Sequence, residues 1–75
     1  MSNLGRLKLA YRLLYPAQQQ AVRNHMDENF NPLHPKAQSD DAIEEYFSEL
    51  LMAALEAELP RKKMDIIKRE ILEAP

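Results

Sequence analysis

His25, Asp27, Glu28 and His34 form the one candidate metal-ligating group in this 75-residue sequence. Two imidazoles and a carboxylate suit zinc, which takes N and O donors in a tetrahedral set. Here His25 and Glu28 share a helical face while His34 lies between Pro32 and Pro35, so the spacing matches no compact zinc motif. Two solvated histidines beside a loop are the better account, and no metal is expected.

Catalytic chemistry has even less to work with. The sequence holds no glycine-rich phosphate loop, no nucleophile elbow and no cysteine. Ser2, Ser39 and Ser48 have no histidine close by in sequence. The many glutamates fall where helix surfaces are wet, and so short a chain can bury few acids deeply enough to shift them. The expectation is a protein that is no enzyme, with no catalytic, cofactor-binding or metal-binding residues and no cofactor.

The elements that would position any site are helices separated by prolines. Leu4, Leu7, Ala10, Tyr11 and Leu14 recur at helical spacing, which predicts a first helix over Leu4–Tyr15, capped by Ser2 or Asn3. Leu9 and Leu13 widen its apolar surface among Arg6, Lys8 and Arg12. Pro16 ends that helix and suits the first turn of a second, Ala17 to about Asn29, with Ala21, Val22 and Met26 on one face. Asn31-Pro32-Leu33-His34-Pro35 stops it, and Lys36 to Asp40 reads as a linker.

The third helix carries the strongest pattern. Asp41-Ala-Ile-Glu44 has a form related to a capping box. Behind it, Ile43, Tyr46, Phe47, Leu50, Leu51, Ala54 and Leu55 make a broad apolar stripe beside Glu44, Glu45, Glu49 and Glu56. Leu59-Pro60 breaks the chain again. A fourth helix then runs to about Glu73, with Met64, Ile67 and Ile71 on one face, Ile66 and Leu72 beside it, and Asp65 paired to Arg69. The fold class is therefore all-α: four short helices in two helix–Pro–helix hairpins.

Composition fits this. Apolar residues make up 45 % and charged ones 29 %, too much hydrophobic content for a disordered chain. Zero cysteines favour a reducing, intracellular setting. No apolar run approaches the roughly 18 residues that span a bilayer, and no secretory signal is evident, so membrane spanning is excluded. The net charge of −2 argues against direct nucleic-acid binding. That charge is split, +3 over residues 1–37 and −5 over residues 38–75. The sequence thus divides into a basic N-terminal helical hairpin or arm, 1–37, and an acidic helical hairpin, 38–75, with a linker long enough to leave the first independent.

A chain of this length buries only about 60 % of its unfolded surface and has no disulfide or metal to brace it. Association is the remaining remedy. The stripe is also wider than a fourth helix covers, so the expectation is a core completed by dimerisation or by a related helical protein partner. The predicted protein interface comprises Ile43, Tyr46, Phe47, Leu50, Leu51, Ala54 and Leu55, followed by Leu59, Met64, Ile67 and Ile71.

From Ser39 onward a family likeness appears. Ser39-Asp40-Asp41, Glu44-Glu45-Tyr46-Phe47, the leucines 50, 51 and 55, Leu59-Pro60, Lys62-Lys63 and Ile67-x-x-x-Ile71-Leu72 follow one another in order. Residues 39–74 resemble the BESS motif, a short helical module of insect transcriptional and chromatin regulators. Glu49-Leu50-Leu51 and Met52-Ala53-Ala54 depart from the usual Ser-Leu and proline of that family. The resemblance implies a self-associating module, a homodimer or heteromer, in a nuclear regulator, with Phe47, Leu51, Leu55, Leu59, Ile67 and Ile71 at its contacts. It does not extend to DNA binding, because residues 1–37 are too short for the Myb-like domain often joined to it. The rival expectation is a small acidic helical regulator, viral or microbial, that binds and inhibits a host protein; Glu44, Glu45 and Glu49 would then engage a basic surface. A peripheral membrane role for Leu4–Tyr15 is disfavoured by its few positive charges.

Overall fold

Proline sets the boundaries, as the sequence predicts. The computed structural model describes residues 3–74. Helix α1 spans Leu4–Arg12, α2 Pro16–Asn29, α3 Ile43–Glu58 and α4 Arg61–Ile67. Pro16 occupies the first turn of α2, where its missing N–H is harmless, and Pro60 precedes the first residue of α4. The chain is all-α, with four helices and no strand among the described residues.

Four local expectations are corrected. The first helix stops at Arg12, because the N–H groups of Leu13 and Leu14 turn back to the carbonyls of Ala10 and Tyr11. Ser2 lies outside the described residues, and Asn3 caps α1 with no side-chain hydrogen bond. The Asp41–Glu44 capping box does not form. Instead the N–H groups of Ala42 and Ile43 both donate to the Ser39 carbonyl, at 3.2 and 2.9 Å, so a backbone turn leads into α3. The Lys36–Asp40 linker is partly ordered: Pro35–Gln38 is a 3-10 turn whose Lys36 N–H donates to His34 Nδ1 at 3.1 Å.

Past Ile67, α4 continues as a π-helical segment, Lys68–Leu72, closed by the Glu73 N–H on the Lys68 carbonyl at 2.7 Å. Bonds spanning five residues swing Leu72 toward the face that Ile67 occupies. Ile71 and Leu72 consequently both pack on the core. The altered register also leaves Asp65 and Arg69 without the expected ion pair; Lys68 reaches Glu56 of α3 at 3.2 Å.

A single hydrophobic core joins the basic and acidic segments. Leu4, Leu7, Ala10, Leu14 and Val22 meet Leu51, Ala54, Leu55, Leu59, Met64 and Ile67 in one cluster. Val22 of α2 and Leu55 of α3 are fully buried. Polar contacts run the same way. Lys36 bridges Glu45 at 3.0 Å and Glu49 at 2.7 Å, and Arg6 Nη1 donates to the carbonyls of Leu72 and Ala74 at 2.9 and 2.7 Å. The opposite charges of the two segments are thus partly met within the chain.

The resulting body is a slab, 34 × 29 × 17 Å, with a radius of gyration of 12.4 Å. A close-packed domain of this length has a radius near 11.3 Å. Helices pack about 8–10 Å apart, so a slab this thin leaves every helix a face toward solvent.

Candidate functional site

Between the C-terminal end of α1 and the face of α4 with its π-helical continuation, that thinness leaves an apolar groove of about 520 Å³. Its floor is the outer edge of the core: Ala10, Leu14, Ile67 and Ile71. The walls are Leu13 and Ile66, which remain 67 % and 46 % exposed. Leu13 lies just past the end of α1, and Ile66 sits one residue before buried Ile67 on α4, so neither joins a buried stripe. Leu9 and Tyr15 add further exposed apolar surface on the same segment of chain.

Charged groups border the groove. Lys62, Lys63 and Glu70 line it. Lys63 is engaged inside the chain: its Nζ lies 5.0 Å from the Tyr15 ring centre and donates to Gln18 Oε1 at 3.1 Å. Gln18 Oε1 also accepts the Tyr15 N–H at 3.3 Å, which fixes the entry to α2. Among the described residues, neither Lys62 nor Glu70 forms an ion pair.

An aromatic cluster occupies the junction of α2 and α3. Phe30 and Phe47 stack with ring centres 5.9 Å apart and planes 8° apart, and His34 stacks on Tyr46 at 4.5 Å and 15°. Tyr46 is buried, whereas Phe30, Phe47 and Leu33 remain exposed.

A third surface is acidic. A wide groove of about 1110 Å³ runs along α3, bordered by Asp41, Glu44, Glu45, Glu49 and Glu56, over Leu7 and Met52. Lys36 neutralises Glu45 and Glu49, and the two carboxylates, Glu49 foremost, hold its ammonium above the usual lysine pKa through side-chain hydrogen bonds.

The residues expected at an interface are divided by this packing. Tyr46, Leu51, Ala54, Leu55, Leu59, Met64 and Ile67 are buried within the chain. Ile43, Leu50 and Ile71 are half-buried, and Phe47 is 38 % exposed. In this fold the stripe of α3 is covered from within, largely by α1 and α2, and a partner would reach it only if the two segments parted. The groove residues Leu13, Ile66, Lys62 and Glu70 were absent from the expected interface. The available signal was their position just off the main apolar stripes.

The four metal-capable residues do not converge. His25 Nδ1 contacts Glu58 Oε1 at 3.3 Å, His34 uses Nδ1 to hold the 3-10 turn, and Asp27 and Glu28 point to solvent on α2. Among the described residues, no group of three or more histidines and carboxylates could hold a metal ion. No helix among them is long and apolar enough to cross a membrane.

No family model matches this chain, and neither a curated protein nor a solved structure matches it. The likeness of residues 39–74 to the BESS motif therefore stands on the sequence features alone.

Proposed function

We propose that this chain is a protein-interaction module, with no reaction of its own, that binds a helical protein chain through apolar surface its fold leaves uncovered. The observation that carries the reading is the apolar groove between α1 and α4, walled by exposed Leu13 and Ile66. Exposed leucines are common singly. A groove with an apolar floor, two apolar walls and a charged rim has the build of a helix-docking surface. The partner is a second copy of the chain or a related helical protein. The non-enzymatic part of the reading rests on the sequence, which lacks the motifs of nucleophilic and phosphoryl-transfer chemistry. The setting, a nuclear regulatory complex, rests on the BESS-like features.

A photo-crosslinking amino acid in place of Leu13 tests the reading in cells that express the chain. Discrete protein adducts are expected from position 13, and far fewer from Ala53 on the exposed side of α3. Equal labelling from the two positions, or none from either, would overturn it.

The acidic groove favours a second reading, in which the chain inhibits a protein by presenting carboxylates to a basic surface. Asp41→Lys with Glu44→Lys separates the two, because it leaves the Lys36 pairs intact. An inhibitor of this kind loses its partner, whereas docking at the α1–α4 groove is unaffected.

A further inference from the structure

We propose that a second copy of this chain fills the α1–α4 groove, in a two-fold dimer whose α4 helices cross antiparallel at Ile66. The inference rests on the protein-binding reading above and names its partner.

The charge order along α4 and its π-helical continuation supports it. Ile66 is exposed, Lys62 precedes it by four residues and Glu70 follows it by four, and all three line the same groove. A two-fold interface brings the same patch of both copies together, so that patch has to complement itself. With the axis at Ile66 and the helices antiparallel, Lys62 of each copy lies opposite Glu70 of the other. Both pairs then flank an Ile66–Ile66 contact. A rim of one sign would repel its own copy; this rim, with an unpaired cation on one side and an unpaired anion on the other, attracts it. Lys63, the other charge on the rim, already rests on Tyr15 and Gln18. The π-helical segment keeps Glu70 on the groove side while Leu72 turns to the core.

The groove alone is smaller than a stable dimer contact. A standard interface covers about 800 Å² per partner. The chain exposes 5397 Å² in all. The contact would therefore extend from the groove over Leu13 and Leu9, and a two-fold pair of slabs would give the thicker body that a single copy lacks.

Sedimentation equilibrium of the intact chain over a wide concentration range tests the proposal. A monomer–dimer equilibrium is expected. Ile66→Asp should abolish the dimer without loss of helicity by circular dichroism, because the side chain is exposed. Lys62→Glu and Glu70→Lys should each weaken the dimer about tenfold, and the double exchange should restore it to within about threefold. Ile66→Cys, in a chain with no cysteine of its own, should form a disulfide-linked dimer on mild oxidation much faster than Ala53→Cys does. A chain that stays monomeric throughout overturns the proposal but leaves the broader reading to the crosslinks from position 13. A dimer indifferent to Ile66→Asp moves the interface elsewhere, and failure of the double exchange overturns the two-fold pairing.

Discussion

The phenol oxygen of Tyr46 accepts the backbone N–H of Asn31 at 2.9 Å, tying the end of α2 to the start of α3. The ring below it is held independently, stacked on His34 and 5.7 Å from Phe30. Tyr46→Phe therefore removes one acceptor and keeps the packing. The expected loss is about 1 kcal/mol, the net worth of one intramolecular hydrogen bond. In a domain this small that corresponds to a melting temperature lower by about 4–8 °C. Calorimetry of the two proteins checks it, and equal melting temperatures would mean that stacking alone fixes the junction.

Leu55 joins residues drawn from both charge segments, so its truncation reports on the whole molecule. Leu55→Ala should cost about 2–5 kcal/mol. That is a large share of the roughly 5–15 kcal/mol that holds a typical domain together. Leu7→Ala, at the other side of the same core, should lower the same transition. Urea titrations followed by both circular dichroism and tyrosine fluorescence should give coincident curves in each variant. Two separated transitions would show that residues 1–37 and 38–75 fold apart.

The Lys36 bridge adds a dependence on alkali. Hydrogen bonds that the ammonium donates to Glu49 and Glu45 raise its pKa in the folded chain. A raised folded value makes the contribution fully present below the ordinary lysine pKa, about 10.4, and removes it as pH rises through the folded value. Lys36→Met should therefore be less stable than the parent at neutral pH, by a modest amount because the bridge is exposed. The gap should close as the pH rises through the raised folded value. Urea midpoints of both proteins across that range decide the matter, and a gap that widened with pH would contradict the assigned role.

Much of this architecture was legible in the residues. Pro16 and Pro60 announce helix boundaries because proline is not tolerated past the first turn of a helix, and the 3.6-residue recurrence of Leu51, Ala54 and Leu55 marks a buried face. What periodicity could not tell is which surface covers that face. Leu4, Leu7 and Ala10 are as suitable as a second chain, and the linker length alone does not choose between them. Short-range hydrogen bonding was equally hidden. His34, a plausible metal ligand by type, instead caps a 3-10 turn through Nδ1. The acids at 41 and 44 look like a capping pair, yet the Ser39 carbonyl has already taken the N–H groups that open α3. The groove is a product of tertiary packing. Leu13 and Ile66 look like marginal members of two stripes until the folded chain brings them to the two sides of one groove.

Gly5 provides a test of whether α1 belongs to the cooperative fold. It lies inside the first turns of α1, its backbone has no positive φ, and a Cβ built on it would meet nothing within 4 Å. Alanine in its place adds no clash and narrows the freedom of the unfolded chain, a gain of about 0.4–1 kcal/mol. If α1 is part of the core that Leu55 anchors, that gain appears as a higher melting temperature for the entire molecule. A loosely attached arm would become more helical without shifting the main transition. Gly5→Ala measured by calorimetry and circular dichroism therefore separates the two. A global rise would mean that α1 shields the α3 stripe in the folded chain, leaving Leu13 and Ile66, beside the core, among the apolar side chains open to a partner.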